Sequence, residues 1–383
     1  MKSAKRGIWK TPPFSFLFIL VSLFACNDND PECPDRRPAE IEPDVYLTVV
    51  DSIGVEEGDS NYVLAMPSYA TRLPDGNTIV VDHMLSKVLV YREDGDFFSQ
   101  VGRSGSGPGE YLLPSWVTAL PSGGLAVIDA MQKRMLFYTD SLEYAGCTDA
   151  FSLAAPMETV FLNDTTFLAI HRIAEEEGGE IMAGFSLSMF NVTSTEPVVS
   201  YFRNLAPYDV SQPFSDVNMR PMFTMTQSGI VFISVRSQDD FVITACDLQG
   251  EELFRIEEPF TRIAKTEQEI EEETQRNRSF LRHSGAPEHV IESLTTEPFY
   301  NAISSIGIGP DGNLWVCLGY YDSPVFKVYD PSDGSFLYNA ALSNRERHGD
   351  LRIIVNRWGI TALDQYCESW PRVYLIQADP ASV

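Results

Sequence analysis

The residue pattern closest to a chemical motif is Gly105, Gly107 and Gly109, a Gly-x-Gly-x-Gly run within residues 102–111. Glycine loops cradle phosphates when a Gly-Lys-Ser/Thr follows and opens a helix. Here Glu110 and Tyr111 follow, and strand-like sequence lies on both sides, so phosphate chemistry is not supported. The histidines are His83, His171, His283, His289 and His348, with no His-x-x-x-His spacing among them, and no Gly-x-Ser-x-Gly elbow occurs. His283 and His289 are six residues apart, which would place them on different faces of a helix. These spacings define neither a catalytic residue nor a metal ligand. Asp82 and Asp129 occupy matching positions in a repeat, and recurrence argues for a structural turn hydrogen bond rather than chemistry.

That repeat sets the frame. Leu73 aligns with Leu120, Asp82 with Asp129 and Tyr91 with Tyr138, a constant offset of 47 residues without insertion. A period of this size with strand-like content indicates propeller blades. Looser copies run over residues 163–170, 227–233 and 309–316, so turns near 75, 122, 164, 228 and 311 mark five blades. A sixth is expected to close from both chain ends, residues 45–50 joining residues 352–355 and 373–376. Radial closure removes exposed sheet edges. Asp-Gly and Ser-Gly pairs supply the positive φ of tight hairpins, and runs such as residues 78–81 are apolar on both faces, as stacked blades require. The expectation is all-β: a six-bladed β-propeller of four-stranded blades with a helical insertion near 263–296. Gly105, Gly107 and Gly109 then read as a flexible joint between blades, braced by pairing of Arg103 with Glu110.

Intervals of about 64 and 82 residues between later turns imply two insertions. In the longer, Thr266 and Glu269 form a capping-box pattern, acids occupy residues 267–273, and Arg276, Arg278 and Arg282 follow, matching the helix dipole. Glu272 and Arg276 form an i,i+4 pair. The apolar face (Ile263, Ile270, Phe280, Leu281) is thin, which places this helix on the propeller rather than inside it, and a shorter helix is expected over residues 287–294. This segment reads as a decorated inter-blade loop, with a lid or partner-docking arm as the functional alternative. Residues 175–179 and 204–220 read as long loops.

The N-terminus reads as an export segment. Lys2, Lys5, Arg6 and Lys10 precede an apolar run over residues 14–24, too short to span a bilayer. The run ends at Leu23-Phe24-Ala25-Cys26, which resembles a bacterial lipobox with Phe24 where a small residue is usual, and implies acylation of Cys26. An ordinary secretory signal is the alternative. Residues 27–35 are polar, acidic and proline-bearing, the composition of a disordered spacer. This divides the chain into a leader (1–25), a tether (26–43) and a propeller (44–378, with the insertion at 261–298). The net charge of −26, about −30 without the four leader cations, excludes nucleic acid and disfavours adsorption to anionic lipid, leaving acyl chains as the membrane attachment. Besides Cys26 the chain has Cys33, Cys147, Cys246, Cys317 and Cys367, an odd number without Cys-x-x-Cys spacing. Cys246 and Cys317 lie in apolar strand-like runs where buried free thiols are common.

Residues 102–111, Leu113-Pro114, residues 123–129 and residues 134–138 resemble an NHL-type repeat, and the chain over about 45–376 is similar to the six-bladed β-propeller lipoproteins of Bacteroidetes and Gemmatimonadetes. The resemblance implies a propeller on the bacterial outer membrane, lipid-anchored and periplasmic or surface-exposed. Two functions fit it. One is a non-enzymatic binding module for an envelope, glycan or peptide ligand, needing no cofactor. The other is an enzyme similar to gluconolactonase-like or streptogramin-lyase-like propellers, with a divalent metal in the central funnel.

Overall fold

A computed structural model describes residues 41–208, 220–283, 285–321, 323–343, 351–364 and 370–378. The leader, Cys26, Cys33, most of the tether, His348 and Cys367 lie outside these residues. Among the described residues, no helix is long and apolar enough to cross a membrane.

The chain forms six four-stranded antiparallel blades around one axis, each laid down from the axis outward except where the chain ends meet. Strand β1 (Val45–Ile53) belongs to the last sheet. Blade one is β2 (Pro67–Arg72), β3 (Thr78–Asp82), β4 (Lys87–Tyr91) and β5 (Phe97–Gln100). A joint with two short parallel strands, β6 (Arg103–Ser104) and β7 (Glu110–Tyr111), leads to blade two: β8 (Pro114–Ala119), β9 (Leu125–Asp129), β10 (Arg134–Tyr138) and β11 (Tyr144–Cys147). Blade three is β12 (Glu158–Asn163), β13 (Thr166–Glu177), β14 (Glu180–Asn191) and β15 (Pro197–Pro207). Blade four is β16 (Pro221–Met225), β17 (Val231–Val235), β18 (Phe241–Cys246) and β19 (Glu252–Glu258). Two helices follow, α1 (Glu267–His283) and α2 (Glu288–Ser293). Blade five is β20 (Ile303–Ile308), β21 (Leu314–Leu318), β22 (Val325–Tyr329) and β23 (Phe336–Leu342). Blade six is β24 (Arg352–Asn356), β25 (Gly359–Asp364) and β26 (Arg372–Ala378), completed on the outside by β1.

The closure pairs Val49 with Ile376 and Ile53 with Val373, as the two chain ends predict. It goes one step further than the sequence indicated. β1 also pairs in parallel with β23, through Val45↔Ala340 and Leu47↔Leu342, so blades five and six merge into one eight-stranded sheet. The second strands of the blades are apolar on both faces because a neighbouring blade covers each face. All five residues of β3 and all five of β9 are buried. Each buried Val or Ile contributes roughly 1.5–3 kcal/mol relative to an exposed one.

Three expectations are corrected or refined. Residues 175–179 are not a long loop: β13 and β14 pair from Thr166↔Asn191 out to Glu177↔Glu180, and Gly178 and Gly179, both at positive φ, form a two-residue turn at the tip. Residues 204–207 belong to β15, and residues 209–219 lie outside the described set. The insertion is helical, with the capping box in place. Thr266 N–H donates to Glu269 Oε2 at 2.7 Å, and Glu269 N–H donates to Thr266 Oγ1 at 3.2 Å. Its apolar contacts are not those of a continuous helix face. Ile263 precedes α1 and is buried in the core of blades four and five, whereas the buried residue of α1 is Thr274, whose hydroxyl meets that of Thr296 at 2.6 Å. A short ladder fixes the base of the insertion: Lys265 N–H donates to the Pro298 carbonyl at 2.9 Å, and Tyr300 N–H to that of Ile263 at 2.9 Å.

Candidate functional site: the central channel

The inner strands β2, β8, β12, β16, β20 and β24 surround a channel of 1160 Å³. These strands all begin on the same side of the ring, so their first residues gather at one mouth. Ser68, Trp116, Glu158, Arg220, Ser304 and Arg352 come together there from sequence positions as much as 284 residues apart. The loop after β17 adds Arg236, and α1 contributes Glu273 and Asn277. The helix is therefore part of the mouth as well as a decoration of it.

Three arginines surround one carboxylate. Arg220 Nη2 donates to Glu158 Oε1, and Arg352 Nη2 lies 3.6 Å from the same oxygen. Arg352 comes from blade six and Glu158 from blade three, on opposite sides of a six-bladed ring, so this contact crosses the mouth. Arg352 also donates through Nη1 to the Ser68 carbonyl at 2.9 Å. The Arg236 side chain is open to channel water yet set deep in the wall. That partial desolvation, with the Arg220 guanidinium beside it, lowers its pKa from the ordinary arginine value. Guanidinium still remains charged at any physiological pH. Glu273 is held by Lys265 Nζ at 2.6 Å, which neutralises it locally. The half-buried Trp116 lines the channel with its ring stacked on Tyr69, centroids 3.5 Å apart. Burial pushes the Tyr69 hydroxyl far above its usual range, so it stays protonated.

The residues singled out by sequence lie elsewhere. Asp82 and Asp129 are fully buried and serve as backbone clamps. Asp129 accepts from the N–H groups of Leu112, Leu113, Met131 and Gln132 at 3.0–3.2 Å and from Gln132 Nε2 at 2.7 Å. Asp82 accepts from Ala65 at 2.7 Å, Met66 at 3.2 Å and Leu85 at 3.1 Å. Each clamp ties the segment entering an inner strand to the turn after the second strand. His171 is in β13 and bonds Ser188 Oγ at 3.1 Å, and burial lowers its pKa. Cys147, Cys246 and Cys317 are free thiols, the latter two buried. Among the described residues, no group of three or more His, Cys, Asp or Glu is placed to hold a metal ion.

The glycine joint is not a flexible link. Gly105 at φ +151° and Gly109 at φ +70° fold it back so that β6 and β7 pair in parallel, and a Cβ on Gly105 would strike the Glu110 carboxylate. Gly107 N–H donates to Glu110 Oε2 at 2.8 Å, and Arg103 Nε donates to Glu110 Oε1 at 2.7 Å. These partners hold the Glu110 carboxyl below the usual carboxylate range, the Gly107 N–H contributing most. A lowered pKa places the bracing at neutral pH, and acidification through that pKa removes it. Because Arg103 is exposed, Arg103→Ala should lower the melting temperature by about 2 °C or less. A large drop in a thermal melt would contradict this.

The mouth cluster escaped sequence reasoning because its members share no local motif. The available signal was positional: Glu158, Arg220 and Arg352 each begin or immediately precede an inner strand, close to the second-residue serines Ser68, Ser115 and Ser304 of blades one, two and five.

Six radial four-stranded blades around a lined channel define a six-bladed β-propeller. A family described as 6-bladed beta-propeller matches residues 69–177. No curated protein matches the chain. Among solved structures, the chain is similar to a Bacteroides fragilis protein described as exported, with 13% identity, 87% of this chain and 95% of that one covered, and a TM-score of 0.48. It is also similar to virginiamycin B lyase from Staphylococcus aureus (11% identity, 83% and 82% covered, TM-score 0.41). A third similar structure is a gluconolactonase from Xanthomonas campestris (10% identity, 82% and 87% covered, TM-score 0.41).

Proposed function

We propose that this propeller is a lipid-anchored protein of the bacterial outer membrane that binds a ligand at its central channel without transforming it. The observation that carries the reading is the donor set at the mouth. Among the described residues, Arg220, Arg236 and Arg352 gather around one carboxylate, Glu158, which Arg220 and Arg352 share. Arginine recognises and holds anions, whereas a metal-dependent lactonase- or lyase-like site needs carboxylates, amides or imidazoles converging on one point. A channel of 1160 Å³ is ample for a small-molecule or chain-end ligand. The anchor rests on the leader and Cys26.

Two experiments test this. Cys26→Ser should move the protein from the membrane to the soluble fraction, and retention in the membrane would refute the anchor. Pull-down from envelope extracts, with metal analysis of the same sample, should recover a ligand. A stoichiometric bound metal and no ligand would favour the enzyme instead.

A further inference from the structure

We propose that the channel mouth is specifically a carboxylate-binding site, an inference that rests on reading the channel as the ligand site. Glu158 shows the chemistry from within the protein. Guanidinium groups from blades four and six already converge on its Oε1, Arg220 as a hydrogen-bonded pair and Arg352 at 3.6 Å. Arg236 feels the same groups, being affected by Arg220, Glu158 and Arg352, yet makes no hydrogen bond or ion pair among the described residues. Among the described residues, Glu158 is shared between Arg220 and Arg352 and Glu273 is matched by Lys265, so the guanidinium charge of Arg236 has no carboxylate of its own.

The surroundings amplify that charge. Low-dielectric walls focus the field of a cleft lined by one sign of charge. The chain as a whole is strongly acidic, with a net charge of −26, so an anion gains attraction at this mouth that the general surface denies it. The planar guanidinium fork matches a planar carboxylate bidentately. Glu158 thus acts as the resident competitor: an incoming carboxylate takes up the charge of Arg236 and shares or displaces Glu158 at Arg220 and Arg352. Trp116 and Trp358, both in the channel lining, report occupancy through tryptophan fluorescence.

The test titrates the full mature protein with trigalacturonate and citrate, with neutral maltotriose and sodium sulfate as controls, by calorimetry and tryptophan fluorescence. Trigalacturonate and citrate should bind and maltotriose should not. Arg236→Ala should weaken that binding roughly 10- to 100-fold, the loss of a charge-assisted hydrogen bond, with an unchanged melting temperature because Arg236 holds no structural partner. Glu158→Gln, which removes the competitor and keeps the shape, should tighten binding several-fold. Opposite signs at two neighbouring residues are not expected of a general loss of structure. Should Glu158→Gln fail to fold, Arg236→Ala alone decides. Equal binding of maltotriose, sulfate binding as tight as trigalacturonate, no effect of Arg236→Ala, or no binding of either acid would each overturn the proposal. An extract ligand that changes the tryptophan fluorescence while both acids leave it unchanged would overturn the carboxylate class and leave the channel as the binding site.

Discussion

A chain beginning at residue 54, without β1, should lose its cooperative melting transition and aggregate, whereas one beginning at residue 41 should melt like one beginning at residue 26. β1 is the fourth strand of blade six and also the bridge to blade five, so its loss exposes two sheet edges, those of β26 and β23. It carries Leu47 and Ile53, both 1% exposed, and a ladder running from Leu47↔Ala378 to Ile53↔Val373. Two buried aliphatic side chains at roughly 1.5–3 kcal/mol each and several ladder hydrogen bonds at about 1 kcal/mol each place the loss above about 5 kcal/mol. That is a large part of the stability of a typical domain. Open edges also template association between molecules. Size-exclusion chromatography and thermal unfolding check this, and a peptide of residues 44–53 added in trans should restore the transition. An unchanged melting curve for the shortened chain would mean that β1 is not what closes the ring.

Asp129→Ala should destabilise the protein by about 3–5 kcal/mol without touching the channel. The carboxylate is fully buried and accepts five hydrogen bonds, four of them from backbone N–H groups. Alanine leaves those donors buried without a partner, which costs more than the bonds themselves contribute. Asp129→Asn should cost less, because one side-chain oxygen still accepts while the new amide faces donors. Asp140→Ala, at an exposed turn of the same blade, should stay within about 0.5 kcal/mol. Chemical denaturation of the three variants gives the ranking, and equal costs at Asp129 and Asp140 would contradict the clamp.

Much of the fold was legible because its determinants are local. The 47-residue offset holds from Leu73 to Tyr91 since neither of the first two blades carries an insertion, and their β2–β3 and β8–β9 turns use glycine where positive φ is needed. Thr266 and Glu269 announce their helix through a bond only three residues long. The tip of the β13–β14 hairpin was not legible in the same way. Glu175, Glu176 and Glu177 have little strand propensity, and what makes them strand is the register shared with Glu180, Ile181 and Met182. The joint at Gly105, Gly107 and Gly109 looked flexible in sequence, but its stiffness depends on Glu110 turning back to cap Gly107. The channel cluster was least visible. Glu158 and Arg352 meet only because the ring brings blades three and six face to face.

The direction of β1 also sets the bearing of the whole ring. β1 is parallel to β23, which, as an outer strand, runs opposite to the inner strand β20 and so ends on the side where the arginines gather. The polypeptide therefore enters β1 from the far face, where Asp44 N–H donates to the Asn339 carbonyl at 2.9 Å. A lipid on Cys26 would pull from that far face through a leash of 18 residues (26–43), with a reach of at most about 65 Å. The point where a leash would join the ring and the charged opening therefore lie on opposite faces, so a chain leading to an anchor need not cross the opening.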